Sequence, residues 1–370
     1  MPPVLKHRWS TGNNYLAGIT LDPWLKLLCA NRISPAYWHR AAFITAAASM
    51  NSLFARRERR FDDAIRETSL AGPPLFILGH WRSGTTHLHN LLSLDTGNFA
   101  FANTYQVTNP STFLTTEEKN SRRFARLVPE KRLMDNMAMS FALPQEDEFA
   151  PCLTTLKSNY LSSSFPNRQQ HYDRYLTFDD VPQPEIEEWK ESMRWFCKKL
   201  TLKYQRPLVL KSPPHTARIR LLLECFPDAR FVHIHRHPHD VFRSTRYFWN
   251  TAAWYTYMQK PDRSRLDEEI IQRYRDLHDA YHEQCGLIPT GRFHEVTFSE
   301  LESDPVASVR TIYEALDLPE FDRFQPVLDA HLETLKGYRK NRFEPLELPI
   351  RKRLADAFER EFELWDYNPS

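Results

Sequence analysis

The chain has 370 residues, enough for one large domain or two modest ones, and with 41% hydrophobic residues it can bury a sizeable core. A formal net charge of only +2 argues against a nucleic-acid partner, and nine glycines with 26 prolines argue against a low-complexity or β-rich chain. Five scattered cysteines form no CxxC pair and the opening "MPPVLKHRWSTGNNY" lacks the apolar core of a secretory signal, so a reducing cytoplasm is the expected home.

Residues 1–70 read as a helical N-terminal extension rich in Trp, Leu and Ala. Its best apolar run, "AAFITAAASMNSLFA", is shorter than the roughly 20 residues a membrane span needs, and the segment ends in the basic "RRERR". Two readings stand side by side: helices that pack on the core or face water, and helices that touch a membrane surface peripherally. At Leu75 the pattern changes. "LFIL" is a short continuous apolar run, expected of a parallel strand buried on both faces, and Leu88, Leu91 and Leu92 then recur at helical spacing. Residues 98–205 are less regular and carry the acidic "PQEDEFA" and a proline-bounded linker, "DDVPQPEIEE".

"RPLVLK" reads as the next strand, and "TARIRLLLECF" as a helix with Ile219, Leu222, Leu223 and Phe226 on one face. "PDARFVHIHR" turns into a further strand and "HPHDVFRSTRYFW" into a helix. A last strand is expected at "RFHEVTF". The helix after it has Asp304 as N-cap, Pro305 at its first position, and Val306, Val309, Tyr313 and Leu316 as its buried stripe. Strand, helix, strand in this rhythm implies a parallel sheet, so residues 71–370 are expected to form one α/β domain of P-loop NTPase-like, three-layer type. The irregular stretch about 98–205 is an insertion in it.

The first strand–helix junction, "GHWRSGTT", carries the chemistry. Four residues separate Gly79 from Gly84, as in the phosphate loop G-x-x-x-x-G-K-[ST], but Thr85 stands where the lysine belongs and Arg82 lies inside the loop. Backbone amides and the helix dipole still favour an anion there. Arg82 adds a permanent planar charge, and Ser83, Thr85 and Thr86 add hydroxyls. Nucleotide hydrolysis with this loop needs the missing lysine and an acid that holds Mg²⁺. The strand "RFVHIHR" ends instead in histidine and arginine. An anion of lower charge, such as an activated sulfate, fits a loop built on arginine and needs no metal.

These residues resemble the sulfotransferases that use 3′-phosphoadenosine 5′-phosphosulfate (PAPS), over roughly residues 73–345. Arg82-Ser83-Gly84-Thr85-Thr86 resembles the family's [KR]-S-G-T-T loop, which grips the 5′-phosphosulfate. "RHPHDVFRS" places Ser244 eight residues after Arg236, the separation of the pair that binds the 3′-phosphate. "FSELESDP" is similar to a further family segment, and the arginine form of the loop with "QEDEF" resembles a broad, mostly bacterial branch. The resemblance implies PAPS as co-substrate, no metal, and a hydroxyl or amine acceptor on a carbohydrate, lipid or small metabolite. It implies Phe298 beside adenine, while His87 stands where a tryptophan is common. It also implies Arg339 and Lys340, in "LKGYRKNRF", closing over the nucleotide.

For the chemistry itself, Lys211 resembles the family lysine that stabilises the leaving oxygen. The family histidine two positions later is Pro213 here. His215 is therefore the first candidate base, and Glu146 and Glu148 of "QEDEF" are the second. The alternating His233, His235, His237 and His239 share a strand face, but Pro238 breaks the strand and no ligand set completes a metal site. Phe141, Tyr160 and Phe165 are aromatic candidates for an acceptor pocket or for plain core. Two other readings of the chain stay open: a P-loop kinase or NTPase, and a non-catalytic nucleotide-binding adaptor.

Overall fold

The computed structural model describes residues 5–125, 130–338, 340–341 and 343–369. At the N-terminus, α1 (Leu21–Ala30) and α2 (Trp38–Glu58) precede β1 (Leu75–Leu78), the loop 79–84 and α3 (Thr85–Leu92). Then come β2 (Ala100–Phe101), a run of short helices, α4 (Gln183–Tyr204), β3 (Leu208–Lys211) and α5 (Ile219–Cys225). β4 (Arg230–His235), α6 (Pro238–Asn250), α7 (Leu266–Gln284), β5 (Phe293–Thr297) and α8 (Pro305–Ala315) follow.

The five strands pair in parallel in the order β2-β3-β1-β4-β5. Their side chains alternate between two cores, as period-two geometry requires. Phe76, Leu78, Leu208, Leu210 and Phe231 face one core, with Trp24, Leu27, Ile44 and Ala48 of α1 and α2 and Trp189, Met193 and Phe196 of α4. Leu75, Ile77, Val209, Val232 and Ile234 face the other, with Leu88, Leu91 and Leu92 of α3 and Val309, Ile312 and Tyr313 of α8. Continuous apolar strands are thus covered on both faces, which gives three layers.

The expected linker is not one. "PEIEE" lies inside the first turns of the 22-residue α4, with Pro184 in the opening turn, where a missing N–H costs nothing. The N-terminal helices also sit closer than an appended extension. Arg40 of α2 is fully buried and donates to the carbonyls of Trp254, Tyr255 and Tyr257 at 3.1, 3.2 and 2.8 Å. Asp304 caps α8 as expected, accepting from the Ala307 amide at 3.0 Å.

Topology positions the site. From β1 the chain moves to β2 and β3 on one side, then to β4 and β5 on the other, so β1 is the point where the order reverses. Ligands of open α/β sheets collect beyond the carboxyl ends of strands at such a point. Those ends are the 79–84 loop after β1, Lys211 closing β3, and Arg236 just past β4.

Candidate active site

The loop after β1 is shaped by two glycines. Gly79 has φ +141°, and a Cβ there would sit 2.4 Å from the Ile234 carbonyl oxygen; Gly84 has φ +107°, and its Cβ would meet Phe298 Cδ2 at 2.4 Å. The loop backbone therefore lies directly on the end of β4 and on Phe298, as close as only glycine allows. Arg82 also takes the left-handed region, at φ +74°, where a non-glycine residue is strained. No side chain caps α3, so its first amides open toward the crevice.

Arg82 turns its Nε to Ser244 Oγ at 2.9 Å and its Nη1 to Asp135 Oδ2 at 3.0 Å. Arg236 lies over the Phe298 ring, 4.4 Å from its centroid, and reaches Asp240 at 3.3 Å. Gly84, Arg82, Ser244, Arg236 and Phe298 thus form one contiguous cluster. Ser83 is buried, donating to the His80 carbonyl at 2.8 Å, and its role is to hold the turn.

Beside this cluster Lys211 Nζ meets Glu146 Oε1 at 2.7 Å and Thr86 Oγ1 at 3.4 Å. Tyr160 donates its hydroxyl to the other Glu146 oxygen. Burial pushes the Glu146 carboxyl up, but Lys211 and the Tyr160 hydroxyl outweigh it and hold the group below the usual carboxylate range. Burial lowers Lys211, with Glu146 opposing. Burial and the adjacent Glu146 charge keep Tyr160 protonated well past its ordinary range, so it is a donor to Glu146 and not a base.

Glu146, Thr86 and Arg82 stand at the polar end of a cavity of about 310 Å³. Its other walls are largely apolar, with Trp81, Phe149, Tyr160, Phe248, Trp249 and Tyr255 among the lining side chains. Asn13 and Tyr15, from the N-terminal segment, complete one wall.

The other expected residues fall elsewhere. His215 is fully buried, pairs through Nε2 with Asp147 and packs edge-on to Phe76 and Trp189. Glu148 is equally buried and binds Arg218 Nη1 at 2.7 Å and Ser158 Oγ at 2.6 Å. Neither lines the cavity, because the helical turn at Pro213–Ala217 and the helix Phe149–Thr155 point them into the core. His87 is half-buried on the far side of α3, close to His331 and Glu302, with its imidazole lowered first by burial. Lys340 is ion-paired with Glu302 at 2.7 Å, and Arg339 lies outside the described residues. Of the three aromatic candidates, Tyr160 lines the cavity, Phe165 is core, and Phe141 packs edge-on to Tyr105. In the histidine series, His233 bonds Glu295 at 2.6 Å and His235 stacks on Trp365 at 4.3 Å.

A sequence profile described as "Sulfotransferase family" matches residues 73–323, from β1 to beyond α8. The chain belongs to the sulfotransferase family. Among curated relatives, the omega-hydroxy-beta-dihydromenaquinone-9 sulfotransferases Stf3 of Mycobacterium bovis and Mycobacterium tuberculosis are each 35% identical over 334 residues. The matched stretch is 88% of this chain and 84% of each relative. Among solved structures, sulfotransferase STF9 from Mycobacterium avium superposes with a TM-score of 0.71 at 20% identity, over 91% of this chain and 87% of that one. STF1 from M. tuberculosis H37Rv gives 0.65 at 16%, over 95% and 94%. The architecture is therefore the P-loop NTPase-like α/β fold of the sulfotransferases, and the reaction is sulfuryl transfer.

Two residues of this sulfotransferase's site carried no signal in the sequence. Arg132 reaches Thr86 Oγ1 at 3.5 Å, and Asp135 is the carboxylate shared by Arg82 and Arg132. Both come from the irregular insertion, far along the chain from the loop they touch.

Proposed function

We propose that the enzyme transfers the sulfuryl group of PAPS to a hydroxyl on an apolar, lipid-like acceptor, with Glu146 as the base and Lys211 on the leaving oxygen. One observation carries this reading: the Glu146–Lys211–Thr86 contact lies where an uncapped helix N-terminus meets the polar end of an apolar cavity. The residues present suit the donor. Arg236 and Ser244 offer a fork and a hydroxyl to the 3′-phosphate, while Arg82 and the amides of 84–86 face the 5′-phosphosulfate. Phe298 serves first as the platform under Arg236.

Glu146 takes the acceptor O–H proton as the new O–S bond forms and the bridging S–O bond breaks. A carboxylate locked to Lys211 is a weak base. Once Lys211 turns to the leaving oxygen, Glu146 loses its counter-charge and its basicity rises at the moment of transfer. The same lysine thereby stabilises the leaving group and releases the base. His215 and Glu148 we assign to the core beneath the site, since each is spent in a fully buried pair.

The acceptor class rests on the apolar cavity and on the relatives' names, which specify an omega-hydroxylated dihydromenaquinone. A carbohydrate would leave most of that wall without a partner. Among the described residues no helix is long and apolar enough to cross a membrane. We place the enzyme in the cytoplasm, meeting a membrane-held acceptor through its N-terminal helices. Calorimetry with adenosine 3′,5′-bisphosphate and with ADP, each with and without Mg²⁺, tests the donor. Metal-independent binding that requires the 3′-phosphate is expected, and a preference for ADP with Mg²⁺ would overturn it. Radiolabelled PAPS offered with long-chain alcohols and with sugars tests the acceptor, and turnover on sugars alone would overturn that half.

A further inference from the structure

The segment 130–139 folds back on itself. Lys131 bridges Ala138 antiparallel, the Arg132 amide donates to the Met137 carbonyl at 2.9 Å, and the Met139 amide to the Glu130 carbonyl at 2.9 Å. Tyr338 and Asn341 clamp it from outside. Tyr338 donates to the Asp135 carbonyl at 2.6 Å, and Asn341 to the Met134 carbonyl at 3.0 Å. Lys131, Arg132, Leu133, Met134 and Met139 all line the cavity, so this hairpin forms its wall beside the phosphate loop.

At the point of transfer two cations bracket one hydroxyl. Thr86 Oγ1 has Lys211 Nζ at 3.4 Å and Arg132 Nη1 at 3.5 Å, both longer than a well-formed hydrogen bond. Lys211 has a tight partner in Glu146. Among the described residues Arg132 is ion-paired only with Asp135, through Nε at 3.4 Å, a contact that does not make a hydrogen bond. A guanidinium with unspent donors, mostly buried and aimed at the N-terminus of α3, is shaped for an oxyanion. Arg82 is committed to Ser244, on the nucleotide side, so the two arginines divide the anion between them.

We propose that Arg132 is a further catalytic residue, which holds the sulfuryl oxygens while the bridging S–O bond breaks, and that Asp135 is the place-holder displaced when the donor binds. The inference rests on the PAPS reading above. During transfer the sulfuryl oxygens share the charge brought by the attacking oxygen, while the electron pair of the breaking S–O bond goes to the leaving phosphate. Arg132 steadies the equatorial oxygens while Lys211 follows the leaving oxygen, and Glu146 carries off the acceptor proton. Asp135 neutralises Arg82 and Arg132 while no donor is bound, which keeps two buried guanidiniums from repelling each other.

Adenosine 3′,5′-bisphosphate carries both phosphates and no sulfuryl group, so it separates donor binding from transfer. Its binding to the unaltered enzyme tests the donor reading first; absence of binding there would sink that reading, whatever the variants do. Given binding, Arg132→Ala is expected to lower kcat about 100-fold or more while the bisphosphate Kd changes less than threefold. Arg132→Lys should restore part of the rate, and guanidinium chloride should rescue Arg132→Ala. Asp135→Asn should tighten the bisphosphate about fivefold, because nothing then competes for Arg82. A kcat for Arg132→Ala within fivefold of the unaltered enzyme, or bisphosphate affinity falling in step with kcat, would overturn the role of Arg132. Unchanged or weaker binding by Asp135→Asn would overturn the place-holder. Should Arg132→Ala melt early, Arg132→Lys and Asp135→Asn decide the matter alone.

Discussion

A base that is to take a proton has to be freed from the cation that holds it, and for Glu146, the proposed base, that cation is Lys211, 2.7 Å away. The contact predicts how pH acts. Glu146 sits below the ordinary carboxylate range, so in the free enzyme it stays ionised until pH falls well into the acid region. The acid limb of kcat/KM is therefore expected below the usual carboxylate value. The limb of kcat, read with donor bound and Lys211 drawn away, should lie higher. Coincident limbs would mean that Lys211 never leaves. Glu146→Gln keeps the shape and loses the base, so kcat should drop about 10²–10⁴-fold with bisphosphate binding intact; a modest loss would return the search to another group. What the sequence made legible at this scale was local. The spacing of Gly79, Arg82 and Gly84 encodes the cradle because a tight turn constrains neighbours. Tyr160 and Arg132 meet the site across chain separations that no spacing rule spans, and the offset of His215 from Lys211 cannot tell which way a 3₁₀ turn points a ring.

Among the elements, α2 has two unlike faces. Arg40, Ile44, Ala48 and Glu58 are buried, whereas Phe43, Met50 and Leu53 are exposed at 40%, 53% and 54%. The exposed residues fall on one stripe at helical spacing, and Arg56, Arg57, Arg59 and Arg60 stand exposed at its end. Trp9 and Trp38, both mostly exposed, continue the surface, and Trp9 packs on His39 of the same helix. His7, from the same N-terminal segment, stacks on Tyr255, which lines the cavity, at 4.4 Å. Apolar residues beside arginines suit an anionic bilayer, where each basic group near the surface adds about 1 kcal/mol. The full chain should therefore co-sediment with vesicles containing an anionic lipid more than with neutral ones. Met50→Glu with Leu53→Glu should weaken this at least tenfold while turnover of a detergent-dispersed alcohol stays unchanged. Equal binding by the double variant, or loss of a dimer in its place, would assign the stripe to something else. The run of Ala, Phe, Met and Leu in α2 is too short to span, and whether it is core or surface depends on which face α1, the turn at 15–18 and the 252–258 segment cover.

For the whole molecule, two parallel-sheet cores were readable from strand composition, because strands buried on both faces have nothing polar to alternate. The union of the N-terminal helices with them was not, since Arg40 looks solvated in a sequence and is here fully buried. The same packing makes the enzyme sensitive to acid. His80, in the phosphate loop, is held neutral down to about 4 and His89, on α3, to about 3, in both cases first by burial. His278, stacked on His80 at 5.7 Å, is lowered well below its usual value, again by burial. In the unfolded chain all three take up protons near pH 6.5, and in the folded protein they do not until several units lower. Their contribution to stability is intact above 6.5 and is lost as pH falls from there toward the folded values, each group costing about 1.4 kcal/mol per pH unit. Together that is about 4 kcal/mol per unit, a large part of the 5–15 kcal/mol that holds a typical fold. The unfolding midpoint is therefore expected to be flat from pH 8 to 7 and to fall by on the order of 4–5 °C between 6.5 and 5.5. Urea titrations over the same range should register net proton uptake on unfolding, to which these three imidazoles contribute up to about three protons by pH 5.5. A stability flat down to pH 5 would mean that these imidazoles titrate inside the folded protein, although both His80 and His278 pack against the ring of Tyr274, at 4.9 and 4.0 Å.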